Sequence, residues 1–192
     1  VWPGACAFPD FTRPETRTWW AGLYKDFMDN DIDGIWNDMN EPSVFDGPGG
    51  TMPESNVHLG GGNLPIGTHL MYHNAYGRLM VEASYNGILT ANPEKRPFVL
   101  SRSNLIGGQR YAAMWTGDNE ASYEHMRLSI PMSITLGLSG QPFNGPDIGG
   151  FAGNKTSDLW GHWLGFGAFF PFSRGHASCD TNNKEPWVFG TA

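Results

Sequence analysis

The stretch GIWNDMNEP, residues 34–42, runs two bulky apolar residues, Ile35 and Trp36, straight into Asp38, Asn40 and Glu41, and closes on Pro42. A short apolar run bounded by polar and turn-forming residues predicts a buried strand. Its polar end admits two readings: a strand that surfaces in ordinary solvated residues, or carboxylates held at a strand tip for chemistry. The rest of the chain has to decide between them.

Upstream, residues 13–30 predict a helix, with Thr12 as its cap, Pro14 in the first turn, and Trp19, Trp20, Leu23, Tyr24 and Phe27 at helical spacing. Downstream, residues 47–67 are rich in Gly, Pro and Asn and predict a surface loop. THLMYHNAYGRLMVEASYNG (68–87) predicts a second helix, ended by Gly87. RPFVLSRSN (96–104) and YAAMWTGDN (111–119) predict strands, and ASYEHMRLSIPMSITLGLSG (121–140) a helix kinked at Pro131. QPFNGPDIGG (141–150) reads as a strand entering a glycine-rich turn. SDLWGHWLGFGAFFPFSRGH (157–176) reads as a mostly apolar helix with a serine cap, whereas EPWVFGTA (185–192) carries no helix signal. The order is α-β-α-β-β-α-β-α, with short apolar strands not joined by hairpin turns. That order predicts an α/β fold, a parallel sheet covered by helices.

Each predicted strand ends in polar chemistry. The first offers Asp38, Asn40 and Glu41, the second Arg102, the third Asp118 and Asn119, and the fourth Asp147. A (β/α)8 barrel gathers the carboxyl ends of its strands on one catalytic face, and a doubly wound sheet also binds ligands there. No G-x-G-x-x-G turn follows a strand, and GGGNLPIG (60–67) lacks a phosphate-binding lysine, which argues against a nucleotide site. Several acids with an arginine and a histidine suit glycoside cleavage, where one carboxylate attacks or activates and another donates a proton. Structural acids capping helices and turns would use the same letters, so residue types alone leave both readings open.

Beyond single positions, FPDFTRPETRTWW, GIWNDMNEPSVF, TMPESNVH, YHNAYG, RPFVLSRSNLIGGQRYAAMWTGDN, GLSGQPFNGPDIGGFAGN and GAFFPFSRGH occur in this order over nearly the whole chain. Together they resemble glycoside hydrolase family 31, the retaining α-glucosidases that also include glucosidase II and α-xylosidases. The resemblance implies a (β/α)8 barrel, with residues 1–192 as its central-to-C-terminal part. About four of the eight strands would be present, and VWPG would follow the third strand. It implies Asp38 as the nucleophile and Asp118 as the general acid and base, a retaining pair that works at roughly 5–5.5 Å. Asp38 must stay ionised, which Arg102, similar to the family's sugar-contacting arginine, would favour. Asp118 must hold a proton when substrate arrives, favoured by apolar walls such as Trp115 and by nearby negative charge. Trp36, Met39 and Phe151 resemble walls of the sugar pocket, and His176 resembles the histidine that bonds a sugar hydroxyl. Asp147 either touches sugar or orients Arg102 or His176 from behind. Trp115 either lines the site or belongs to the core, and Glu41 supports the site without reacting.

Composition agrees. With 16% charged residues and a net charge of −7, the chain offers no basic surface for nucleic acid or anionic membrane. No apolar run approaches the roughly 18–20 residues of a membrane span. Eight Trp, 12 Phe and 6 Tyr suit a large core and also sites that stack neutral sugars. His69 and His73 stand four apart on a predicted helix, but no Glu follows the first and no third ligand is evident, so no metal or other cofactor is expected. His58, His125 and His162 receive no role. Cys6 and Cys179 form no disulfide framework and leave the compartment open.

The expected activity is exo-acting, retaining hydrolysis of terminal α-glucosides. An α-glucosyltransferase, an α-xylosidase and a non-catalytic carbohydrate-binding homologue are the alternatives. The expected partners are an α-glucoside or oligosaccharide substrate and the remainder of a longer parent chain, without which the segment would be inactive.

Overall fold

The computed structural model describes residues 4–190, so the expectation for VWPG falls, at Val1–Pro3, outside the described residues. The chain divides into two compact units, Val1–Ala112 and Ala113–Ala192.

In the first unit, α1 (Pro14–Gly22) and α2 (Lys25–Met28) replace the single predicted helix. Arg13, not Thr12, stands at the α1 cap, because the Thr12 hydroxyl donates to the Asp10 carboxylate and accepts from the Gly60 N–H. Strand β1 (Ile35–Asn37) is followed by a small antiparallel pair inside the predicted loop, β2 (Val57–His58) and β3 (Gly67–Thr68). Helix α3 (His69–Ala91) has no side-chain cap; the N–H groups of His69 and Leu70 donate to the carbonyls of Asn56 and Glu54. It runs four residues past Gly87 and stops at Asn92, before Pro93. Gly87 serves close packing instead: a Cβ there would lie 2.6 Å from the Ala21 carbonyl oxygen of α1. Strand β4 (Val99–Ser101) pairs parallel with β1, with Asn37 opposite Ser101. Two clusters close this unit's core, one around Phe11, Met52, Tyr76 and Leu79 and one around Val81, Ile88, Val99 and Ala112. Phe11 meets both Trp20 and Tyr76 edge-on at 5.3 Å, the geometry that ring quadrupoles favour.

In the second unit, β5 (Ala113–Trp115) pairs parallel with β6 (Asn144–Gly145). Helix α4 (Tyr123–Leu138) is capped by Ser122, whose hydroxyl accepts from the His125 N–H, and continues through Pro131. Helix α5 (Ser157–Gly167) is capped by Thr156 in place of the predicted serine. It ends nine residues before His176, and the chain then passes through turns and bends at residues 168–172 to an isolated parallel bridge between Arg174 and Asp147. Near the end of the chain Pro186–Phe189 forms a short 3-10 turn, and Phe189 stacks on Trp160 at 5.6 Å. Met126, Ile148, Leu159, Trp160 and Trp163 form the core here.

Both units thus present parallel strand pairs with helices in the connections, the construction of an α/β barrel and not of a hairpin sheet.

Candidate active site

Strand periodicity answers the question raised by residues 34–42. Ile35 packs on the Val81–Val99 cluster, and the Asn37 side chain donates to the Tyr24 hydroxyl. Trp36 and Asp38, one step out of phase, take the other face and are exposed. The polar letters therefore divide. Asn37 and Asn40 are buried anchors, Asn40 donating to the Ser101 hydroxyl at 2.8 Å and accepting from the Ser103 N–H. Asp38 reaches solvent at the strand tip.

Register brings the cation. Because Asn37 faces Ser101, the next residues on β1 and β4 are Asp38 and Arg102. Arg102 forks onto Glu41, Nε to Oε1 at 2.8 Å and Nη2 to Oε2 at 3.0 Å. Its remaining arm, Nη1, lies 3.4 Å from Asp38 Oδ1. The two-point fork fixes the guanidinium plane, so the charge beside Asp38 is aimed. Met39 adopts a left-handed backbone conformation, φ 55°, and its N–H donates to Asp38 Oδ1 at 2.7 Å. For a residue with a long side chain this conformation is disfavoured, and here it turns an amide onto the carboxylate. Trp36 shares with Asp38 a cleft of about 590 Å³ that also reaches Leu23, Tyr24, Phe27 and Met80.

In the second unit Asp118 is exposed just beyond β5, after Gly117 at φ 89°. Asn119 ties this tip to the glycine-rich turn: its side chain donates to the Asp147 carbonyl and accepts from the Phe151 N–H, both at 3.0 Å. Phe151 and His176 stack face to face, ring centroids 5.1 Å apart. Trp115 is buried, with the Arg174 guanidinium 4.9 Å over its ring. Asp147 is fully buried and accepts from Arg174 Nε at 2.8 Å. Burial pushes its carboxyl up to about 6, against the lowering effect of Arg174 and Lys184, and the Asp118 charge adds to the rise. The carboxylate expected behind Arg102 or His176 is therefore joined to Arg174, two residues before His176.

Sequence reasoning missed Arg174 and Lys184, and named Asn119 as a polar strand tip without its role in tying that tip to the turn. The signal for Arg174 was present, because an aspartate inside the apolar PDIGG run needs a cation to be buried. His69 and His73, set aside as metal ligands, form a hydrogen-bonded row with His58. Asp10 meets His58 Nδ1 at 3.0 Å, His58 Nε2 meets His69 Nδ1 at 3.1 Å, and His69 Nε2 meets His73 Nδ1 at 3.1 Å. Among the described residues no cluster of His, Cys, Asp and Glu could hold a metal ion, and no helix is long and apolar enough to cross a membrane. Cys6 and Cys179 are exposed free thiols.

The family model for the glycosyl hydrolases family 31 TIM-barrel domain matches residues 1–192. A probable glucan 1,3-alpha-glucosidase from Oryza sativa subsp. japonica is 51% identical over 98% of this chain, which covers 20% of that protein. Alpha-glucosidase 2 of Bacillus thermoamyloliquefaciens is 48% identical over 99% of the chain, which covers 24% of it. A family 31 alpha-glucosidase structure from Bacteroides thetaiotaomicron superimposes with a TM-score of 0.85 at 60% identity, over 99% of this chain and 30% of its own. The glucosidase II alpha subunit gives a TM-score of 0.90 at 44% identity, over 99% and 21%. The chain therefore spans about a fifth to a quarter of the curated relatives it matches. With parallel strands, helical connections and a match along its whole length, the chain belongs to glycosyl hydrolase family 31, as part of that family's TIM-barrel domain.

Proposed function

We propose that the protein containing this chain is an exo-acting, retaining α-glucosidase, with Asp38 as nucleophile and Asp118 as general acid and base. The observation that carries this reading is Arg102, clamped by Glu41 and aimed at an exposed aspartate on a strand tip. A nucleophilic carboxylate must be reachable by substrate, and here a held guanidinium and a backbone N–H both meet Asp38 without burying it.

In the first step Asp38 attacks the anomeric carbon while Asp118 gives its proton to the departing glycosidic oxygen, leaving a β-linked glycosyl ester. In the second, Asp118 takes a proton from water, which attacks the same carbon from the α face, frees Asp38 and releases α-glucose. Trp36, Met39 and Phe151 would wall the sugar, and His176 would bond a hydroxyl. The relatives' names include alpha-glucosidases, which supports this substrate class. We assign the segment to the central-to-C-terminal part of the barrel and expect it to be inactive without the rest of the parent chain.

The test uses the full-length protein on p-nitrophenyl α-glucoside with added azide. Asp38→Ala loses about 10⁴-fold or more in kcat, and azide restores turnover as the inverted β-glucosyl azide. Asp118→Ala in azide yields the α-glucosyl azide. Near-normal turnover by Asp38→Ala overturns the assignment.

A further inference from the structure

The glycine-rich turn after β6 and the segment ending at His176 meet around one ammonium group. Lys184 Nζ donates to the carbonyls of Ile148, at 3.2 Å, of Gly150 and of His176. Gly149 and Gly150 have φ 81° and 86°, which direct the turn's carbonyls where side-chain-bearing residues would resist. Neither position has room for a Cβ, which would lie 2.6 Å from the Trp160 ring at Gly149 and 2.3 Å from the Ala121 nitrogen at Gly150. Two of the three carbonyls flank the aromatic pair: Gly150 precedes Phe151, and the third belongs to His176 itself. A second tie between these segments is the Ser178 N–H to the Phe151 carbonyl at 3.0 Å.

We propose that Lys184 is a positioning residue for the sugar pocket, holding the His176 ring in its stack against Phe151 by clamping the backbone on both sides. This rests on the reading of His176 as a sugar contact. An ammonium suits the task because it has three donors and no acceptor, so it can satisfy three carbonyls at once. Burial pulls its pKa down to about 8, with Lys155 adding to the fall, so it still carries its proton at neutral pH. Without it three carbonyls lose this donor, and the two segments are left joined by the Ser178–Phe151 bond at one end and by Arg174, paired with Asp147 and accepting from the Ile148 N–H, at the other.

The experiment is a double-mutant cycle on the full-length enzyme, with kcat and KM measured on p-nitrophenyl α-glucoside and thermal unfolding followed in parallel. Lys184→Met is expected to lower kcat/KM about tenfold, and Lys184→Arg, which keeps several donors, to recover most of that. In a His176→Ala background Lys184→Met should cost less than about twofold, because the ring it positions is already gone. If Lys184→Met does not fold, Lys184→Gln takes its place in the cycle. Unchanged kcat/KM in Lys184→Met, or an equal loss with and without His176, overturns the proposal. A His176→Ala variant with unchanged kcat/KM instead overturns the reading of His176 on which it rests.

Discussion

Two arginine–carboxylate pairs stand at the tips of this chain's strands, and they are built oppositely. Arg102 and Glu41 form a two-point fork that is partly open to solvent, and the third nitrogen is left to face Asp38. Arg174 and Asp147 meet through one bond around a carboxylate with no exposure at all. The open fork costs little desolvation and serves to aim a charge, so its value should lie in rate. The buried pair carries a desolvation burden that its partner only partly offsets, hence the raised carboxyl, and its value should lie in holding the turn together.

The largest expected effect comes from breaking the buried pair. Arg174→Met should destabilise the full-length protein by about 3–5 kcal/mol at pH 7.5, by leaving a charge buried without its donor. Asp147 has a folded pKa of about 6, above its ordinary 3.8, so its contribution to stability is present below 3.8 and is lost as pH rises through 6. The deficit of Arg174→Met should therefore shrink at pH 5, where Asp147 is already protonated. Denaturation at the two pH values tests this, and an equal deficit at both would contradict it.

Glu41→Gln, by contrast, should reduce kcat/KM about tenfold, or about 1.4 kcal/mol, while shifting stability by less than about 1 kcal/mol. If stability falls and activity holds, the open fork is structural after all and the contrast fails.

The smallest effect sharpens the comparison through pH. His69 is fully buried, and burial, with His73 and His58 beside it, pulls it down from 6.5 to about 4. Its stabilising contribution is present above 6.5 and is lost as pH falls through 4, the opposite sense to Asp147. Burial works to raise Asp10 at the end of the same row, but hydrogen bonds from Thr12, the Leu59 N–H and His58 prevail and hold it below its usual value. On moving from pH 7.5 to 5, hydrogen-exchange protection should fall around the start of α3 and hold or rise in residues 144–151. Parallel changes in the two regions would show that the row and the buried pair do not titrate separately.

How much of this was legible beforehand varies with the kind of physics involved. Three strands of the parallel pairs, β1, β4 and β5, were readable because each is a short apolar run with a polar end, β6 (Asn144–Gly145) because it leads into a glycine-rich turn, and α3 because its apolar spacing persists. Helix ends were read less well. Gly87 reads as a stop, yet it sits inside α3 because α1 approaches too closely for any Cβ. Thr12 and Ser157 read as caps, but the first spends its hydroxyl on Asp10 and Gly60, and Thr156 caps α5. Choices of this sort depend on what a distant segment offers, and no local pattern records it. The pairing of Asp147 with Arg174 is of the same kind.

By itself the sequence determined the α/β class, the family and the presence of aspartates at the strand tips, because apolar runs and motif order can be read along the chain; that Asp38 and Asp118 are exposed while Asp147 is buried came with the structure. Only the tertiary structure decided that Glu41 clamps Arg102, that Asp147 is spent on Arg174, that three histidines bond one another, and that Lys184 gathers three carbonyls. Each of those rests on side chains brought together by register or by close packing. A buried polar group must find a partner, and which one it finds is settled only when the chain has folded.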